Sequence, residues 1–171
     1  MRSADEAAFA AFVADRGDAL LRFARLVVSD VGDAEDALQV ALLRLARHWS
    51  RGIDAPEGYV RTSLVNLARD RGRRKHLVPE PTATGDLRLE PLADLADAVA
   101  AQAHLETLLG LLPPRQRLAV VLRVVEGYSE QETARLMRCA PGTVKSSLAR
   151  GLARLREVLG GRDTVVEACH E

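Results

Sequence analysis

Residues 127–157, GYSEQETARLMRCAPGTVKSSLARGLARLRE, gather Thr143, Lys145, Ser146, Ser147, Arg150 and Arg154 into one short run. Hydroxyls and cations at this density suit hydrogen bonds and ion pairs to phosphate oxygens and base edges. A second cationic group, Arg69, Arg71, Arg73, Arg74 and Lys75, lies upstream, with Arg61 two helical turns before it. A third group is acidic and polar: Asp33, Glu35, Asp36 and Gln39. None of these groups pairs a nucleophile with a base. His48, His76, His104 and His170 are scattered, and Cys139 and Cys169 form no CxxC. Cys169 beside His170 falls short of a metal-ligand set. No catalytic residue, metal or cofactor is therefore expected, and the chain does not read as an enzyme.

The elements that must position these groups follow from periodicity. At 100° per residue, Val144, Leu148, Gly151, Leu152 and Leu155 fall on one side of a helix starting near residue 141. Gly142, Ser146, Ala149, Arg150 and Ala153 fall opposite, with Lys145, Ser147 and Arg154 on the flanks. The preceding helix, about 129–138, opens on Ser129-Glu130-Gln131-Glu132, the S-x-x-E capping box. A short break at Cys139–Gly142 separates the two. This pattern fits a helix-turn-helix whose second helix enters a major groove N-terminus first. It also fits a plain amphipathic hairpin with a solvated arginine face.

Around this pair the sequence predicts helices at about 97–111 and 114–126. Earlier in the chain it predicts four more, at about 4–15, 18–29, 33–48 and 56–74. Asp33 is placed to cap the third of these and Pro56 to open the fourth. Leu38, Ala41, Leu42 and Leu45, and Val60, Leu64 and Leu67, are expected to face inward. Between the halves, LVPEPTATGDLRLEPLADL carries Pro79, Pro81, Gly85 and Pro91, a composition that breaks helices and resists a core. The fold class is thus all-α: two small helical domains joined by a flexible acidic linker. The expected divisions are 1–76, a linker at 77–97, 98–160, and a tail at 161–171.

Zero formal net charge conceals segregation. Residues 1–76 hold 13 Lys+Arg against 11 Asp+Glu, residues 77–110 hold 1 against 6, and residues 111–171 hold 10 against 7. Local distribution, and not the total, must therefore decide on nucleic acid. No apolar run is long enough to span a membrane, and the N-terminus lacks a signal-peptide core. Together with the unpaired cysteines, this gives a cytoplasmic expectation without membrane partners.

LPPRQRLAVVLRVVEGYSEQETARLMRCAPGTVKSSLARGLARLRE, residues 112–157, resembles region 4 of sigma-70-family transcription initiation factors, the promoter −35-binding domain. The usual form is close to LPPRQRxVxxLRxxEGxSxxEIAxxLGxSxGTVKSRLxRARxxLR. DAEDALQVALLRLARHW resembles region 2.2, usually DAEDLVQExFLRxxR, and PEGYVRTSLVNLARDRGRRKH resembles regions 2.3–2.4. Two domains with only a short linker resemble the extracytoplasmic-function (ECF) subgroup, in a short branch common in high-GC bacteria.

The resemblance implies a factor that binds core RNA polymerase and directs it to −35 and −10 elements while helping to melt double-stranded promoter DNA. Asp33, Glu35, Asp36 and Gln39 would face the polymerase β′ clamp helices, although Val40 stands where the family usually has Glu. Region 4 would also meet the β flap. Arg61, Arg69, Arg73 and Arg74 would meet −10 phosphates; Asn66 and Asp70 would lie near the non-template single strand; Tyr59, where Trp is common, would stack on an unpaired base or sit in the core. Arg115, Arg117, Thr143, Lys145, Ser146 and Arg150 would hold the −35 element. Ser147 replaces a usual Arg, implying a missing phosphate contact, and Ala140 replaces a capping Ser. The acidic linker would mimic RNA near the active-site cleft or act as a tether. An anti-sigma factor is a possible partner, and Cys139 reads as a buried thiol or a redox-sensitive one. Two other readings stay open: a stand-alone helix-turn-helix regulator, and a sigma-like protein-binding decoy. The pairing of DAEDALQ with NLARDRGRR argues against the first; Val40 and Ser147 keep the second in play.

Overall fold

A helix that sequence breaks at Gly17 runs straight through it. In the computed structural model α1 spans Ser3–Val27 without interruption, where two helices were expected. Glycine inside a helix costs only about 1 kcal/mol relative to alanine, and packing on both sides outweighs it. Before Gly17, Phe9 and Phe12 set their rings 5.2 and 5.6 Å from Trp49. After it, Leu20, Phe23, Ala24 and Val27 are buried. Leu20, Phe23 and Val27 each contribute about 1.5–3 kcal/mol by leaving water.

The structure describes residues 3–28, 30–75 and 96–167, with side chains for 4–28, 30–72 and 99–160. The chain divides into two units, Met1–Glu90 and Pro91–Glu171. The expected linker at 77–97 lies outside the described residues except for its last two, which begin α4.

In the first unit α1, α2 (Val31–Trp49) and α3 (Pro56–Lys75) each pack on the other two. The cap of α2 is Asp30, not Asp33: the Asp33 N–H donates to Asp30 Oδ1 at 3.0 Å. Both aspartates were available, and the helix starts at the earlier one. Ala34, Ala37, Leu38, Ala41 and Leu45 form its buried stripe; Leu42 is only half-buried. On α3, Val60, Leu64, Val65 and Ala68 are buried, and Leu67 is half-buried.

The second unit begins with α4 (Ala96–Gly110). Arg117 is 3 % exposed and closes the end of that helix. Its Nε donates to the Leu109 carbonyl at 2.7 Å, and its Nη2 to those of Gly110 and Leu112 at 2.8 and 3.3 Å. Two of these carbonyls belong to the last turn of α4, where a helix C-terminus lacks intrahelical partners. Burial lowers the Arg117 pKa to about 10, so the group keeps its charge at neutral pH. α5 (Pro114–Val120) continues into a π-helical turn at Val121–Val125. Gly127, at φ 71°, then redirects the chain. α6 (Glu130–Met137) carries the expected capping box: Glu132 N–H to Ser129 Oγ at 3.2 Å, Ser129 N–H to Glu132 Oε2 at 2.8 Å. α7 (Pro141–Glu167) packs on α5 and α6 and extends into the expected tail. A Cβ on Gly151 would stand 2.9 Å from Val120 Cγ2, so glycine is what lets α5 and α7 approach this closely.

Candidate nucleic-acid and polymerase interfaces

Packing against α5 fixes which side of α7 faces out. Val144, Ser147 and Gly151 are buried at helical spacing, so Lys145, Ser146, Ala149 and Arg150 are exposed together. Thr143 is half-buried at the first turn. Ser146 Oγ donates to the Thr143 carbonyl at 3.2 Å, and Arg150 Nε to the Ser146 carbonyl at 3.1 Å. Lys145 Nζ lies 3.6 Å from Glu130 Oε2 with its side chain 74 % exposed. These are weak surface contacts that a phosphate can displace. Arg115 is exposed on the first turn of α5, close enough to Cys139 to act on its thiol.

Two sequence expectations need correction here. Arg117 does not belong with the phosphate-contacting residues, because its guanidinium is buried and bonded to three carbonyls. Ser147 is not on a flank: it is 3 % exposed, on the packed side of α7. The Cys139 thiol is half-buried, and burial pushes its pKa up against a smaller opposing effect of Arg115. That is the wrong direction for a reactive cysteine.

On α3 the cations whose side chains are described, Arg61, Arg69 and Arg71, are engaged within the protein. The Arg61 guanidinium carbon lies 4.8 Å from the Phe23 ring centroid and its Nε 3.0 Å from Glu57 Oε1. Arg69, 13 % exposed, places Nη2 3.3 Å from Asp70 Oδ1. Arg71 donates to the Asp33 carbonyl and lies 3.5 Å from Asp33 Oδ1. Asn66 Oδ1 and Arg69 Nη1 are buried without a hydrogen-bond partner. Tyr59 is half-buried, 6.2 Å ring to ring from His48. The side chains of Arg73 and Arg74 lie outside the described residues.

On α2, Glu35, Asp36 and Gln39 are exposed, while Asp33 is half-buried and tied to α3. Arg25 Nη2 stands 3.4 Å from Glu35 Oε1. Two apolar residues share this surface: Val40, which sequence reasoning noted only as a lost carboxylate, and Leu43, which it missed, are also exposed. The signal was present, since both fall off the stripe of Ala34, Ala37, Leu38, Ala41 and Leu45. Among the described residues no group of three His, Cys, Asp or Glu could hold a metal ion, and no helix is long and apolar enough to cross a membrane.

A helix-turn-helix with a cationic outer face, preceded by a separate three-helix unit, defines the class: a modular helical DNA-binding protein. Comparison with known proteins narrows it. Residues 12–77 match the family pattern described as Sigma-70 region 2, and residues 103–155 match Sigma-70, region 4. The RNA polymerase sigma-E factor of Streptomyces coelicolor is 41 % identical over 157 residues, covering 91 % of this chain and 88 % of that one. The ECF RNA polymerase sigma factor SigM of Mycobacterium tuberculosis is 39 % identical over 149 residues, covering 86 % of this chain and 74 % of that one. The sigma factor RpoE from Bartonella quintana, in co-crystal with the anti-sigma factor NepR, superposes with a TM-score of 0.58 at 27 % identity, covering 89 % of this chain and 96 % of that one. The chain belongs to the sigma-70 family, in its extracytoplasmic-function subgroup, and is an RNA polymerase sigma factor directing promoter-specific transcription.

Proposed function

We propose that this sigma factor works with three surfaces and no bond-making chemistry of its own, in the cytoplasm where polymerase and promoter are. The exposed face of α2, with Glu35, Asp36 and Gln39 around Val40 and Leu43, docks on the β′ clamp helices of core polymerase. An apolar centre with a polar rim is the composition of a protein interface. Asp33 contributes by holding α3 against α2. The second unit meets the β flap and, through α7, the −35 duplex. Thr143, Lys145, Ser146 and Arg150 read or clamp it, with Arg115 at one edge.

The −10 role of α3 rests on Asn66, Arg69, Asp70 and Tyr59 more than on free positive charge. Asn66 Oδ1 and Arg69 Nη1 are buried without protein partners, so they reach the edge of an unstacked base only after α3 shifts on promoter opening. Arg61 serves the fold, given its position between Phe23 and Glu57. Arg73 and Arg74 are retained as phosphate contacts. An anti-sigma factor that covers the α2 or α7 face would restrain the protein, as a complex of this kind exists for the Bartonella relative.

The observation that carries this reading is the joint exposure of Lys145, Ser146 and Arg150 on one side of α7, opposite the close packing at Gly151. Run-off transcription tests it, using core polymerase from a high-GC bacterium and the gene's own upstream region. A protein-dependent transcript lost with Arg150→Ala or Lys145→Ala is expected. Core binding without any transcript from a broad promoter library would favour the decoy. Ser147 no longer supports that alternative, because its position is packed.

A further inference from the structure

Arg138, at the end of α6, is the non-glycine residue with positive φ among those described, at φ 50° and ψ 55°. Glycine takes this left-handed C-cap conformation without the Cβ penalty that arginine meets, and the usual region 4 form has glycine here. The cap itself does not use the side chain. The Arg138 N–H bonds to the carbonyls of Ala134 and Arg135, and the Cys139 N–H to that of Ala134 at 3.0 Å. The side chain is exposed, and among the described residues no carboxylate lies in ion-pair range of its guanidinium. A strained arginine that contributes nothing to its own turn points to a role outside the fold.

Its surroundings indicate what it could bind. The exposed Arg138 and Arg135 line a concavity together with Gln131, Ala134, Cys139 and Pro141. The concavity opens onto the first turn of α7, directly before Thr143, Lys145 and Ser146. Two guanidiniums beside an amide at the mouth of a shallow site suit an oxyanion with several acceptor oxygens. We propose that Arg138, with Arg135 beside it, clamps a phosphodiester of the −35 duplex adjoining the α7 contact. This inference rests on the reading of α7 as the −35 helix.

Arg138→Gly removes the charge and the backbone strain together, so folding and binding should move in opposite directions. The measurement is thermal unfolding of the full chain, then promoter binding across a salt series by core polymerase reconstituted with it. Arg138→Gly should keep or raise the unfolding temperature, leave core affinity unchanged, weaken promoter binding several-fold and flatten the log–log salt dependence by about one unit. Arg138→Lys should retain most of that slope. An unchanged slope with Arg138→Gly overturns the proposal, as it must if the concavity takes an acidic protein segment. So does Arg138→Lys behaving like Arg138→Gly. Lys145→Ala separates the two levels: if it flattens the slope and Arg138→Gly does not, the phosphate clamp alone fails. If neither does, the −35 assignment of α7 fails and the clamp with it.

Discussion

The two helices assigned to promoter DNA carry their cations in opposite ways. On α7, Lys145 is 74 % exposed and Arg150 reaches only its own helix. On α3, Arg61 and Arg69 are 20 % and 13 % exposed and engaged with Phe23, Glu57 and Asp70. A hydrated cation attracts phosphate and releases counterions on binding, so its contribution falls with salt. A cation already desolvated inside protein holds geometry instead. The outer face of α7 should therefore bind duplex through charge, whereas α3 from Arg61 to Arg69 should present shaped polar groups to strands that have begun to part.

The largest test of this division uses the arginine that looks like a phosphate contact and is not. Arg117→Ala removes three hydrogen bonds to backbone carbonyls, two of them buried, and should destabilise the second unit by about 3 kcal/mol, read from urea unfolding of the full chain. Gly151→Ala attacks the platform behind α7, where the new Cβ would stand 2.9 Å from Val120 Cγ2. A loss of about 2 kcal/mol is expected, smaller when combined with Val120→Ala.

Ser129→Ala removes the cap of α6 and should cost about 1 kcal/mol, with a defined pH dependence. The Ser129 hydroxyl, then its backbone N–H, hold the Glu132 carboxyl below the ordinary carboxylate range. A depressed folded pKa stabilises above the unfolded value, and that stability is lost as pH falls through the folded one. The gap between wild type and Ser129→Ala should thus be widest at neutral pH and narrow on acidification, the pH-independent Glu132 N–H to Ser129 Oγ bond remaining. The smallest test is a paired one. Arg61→Ala should cost about 1 kcal/mol of stability and leave the salt slope of promoter binding alone. Arg150→Ala should change stability by less than about 0.5 kcal/mol and flatten the slope by about one unit. An interchange of those two results would break the comparison.

Much of this was legible in the sequence because it is local. The capping box Ser129–Glu132, Pro56 and Pro114 at helix starts, and the outward run of Ser146 and Arg150 depend only on neighbours along the chain. What stayed hidden depends on partners far away in sequence. Nothing near Arg117 says that the carbonyl end of α4 will lie beneath it. Ser147 sits at the margin of a helical wheel, and only the close approach allowed by Gly151 makes that margin interior. The first two expected helices stayed separate because the packing of Phe9 and Phe12 on Trp49 spans a long stretch of sequence. Asp33 looked like the cap because its engagement by Arg71 and the earlier helix start at Asp30 both depend on tertiary packing.

The π-helical turn at Val121–Val125 has a consequence for how the chain tolerates change in length. A π turn holds one residue more than the α-helical turn it replaces, so it stores a spare residue. Deleting one within Val121–Val125 can be absorbed by closing the turn to ordinary α geometry, with Ser129 and the helices after it left in phase. The same deletion in Pro114–Val120 has no slack to draw on: it would swing Arg117 by about 100° around the helix axis, off the three carbonyls it serves. The region 4 unit thus has a built-in length buffer on one side of Val120 and none on the other.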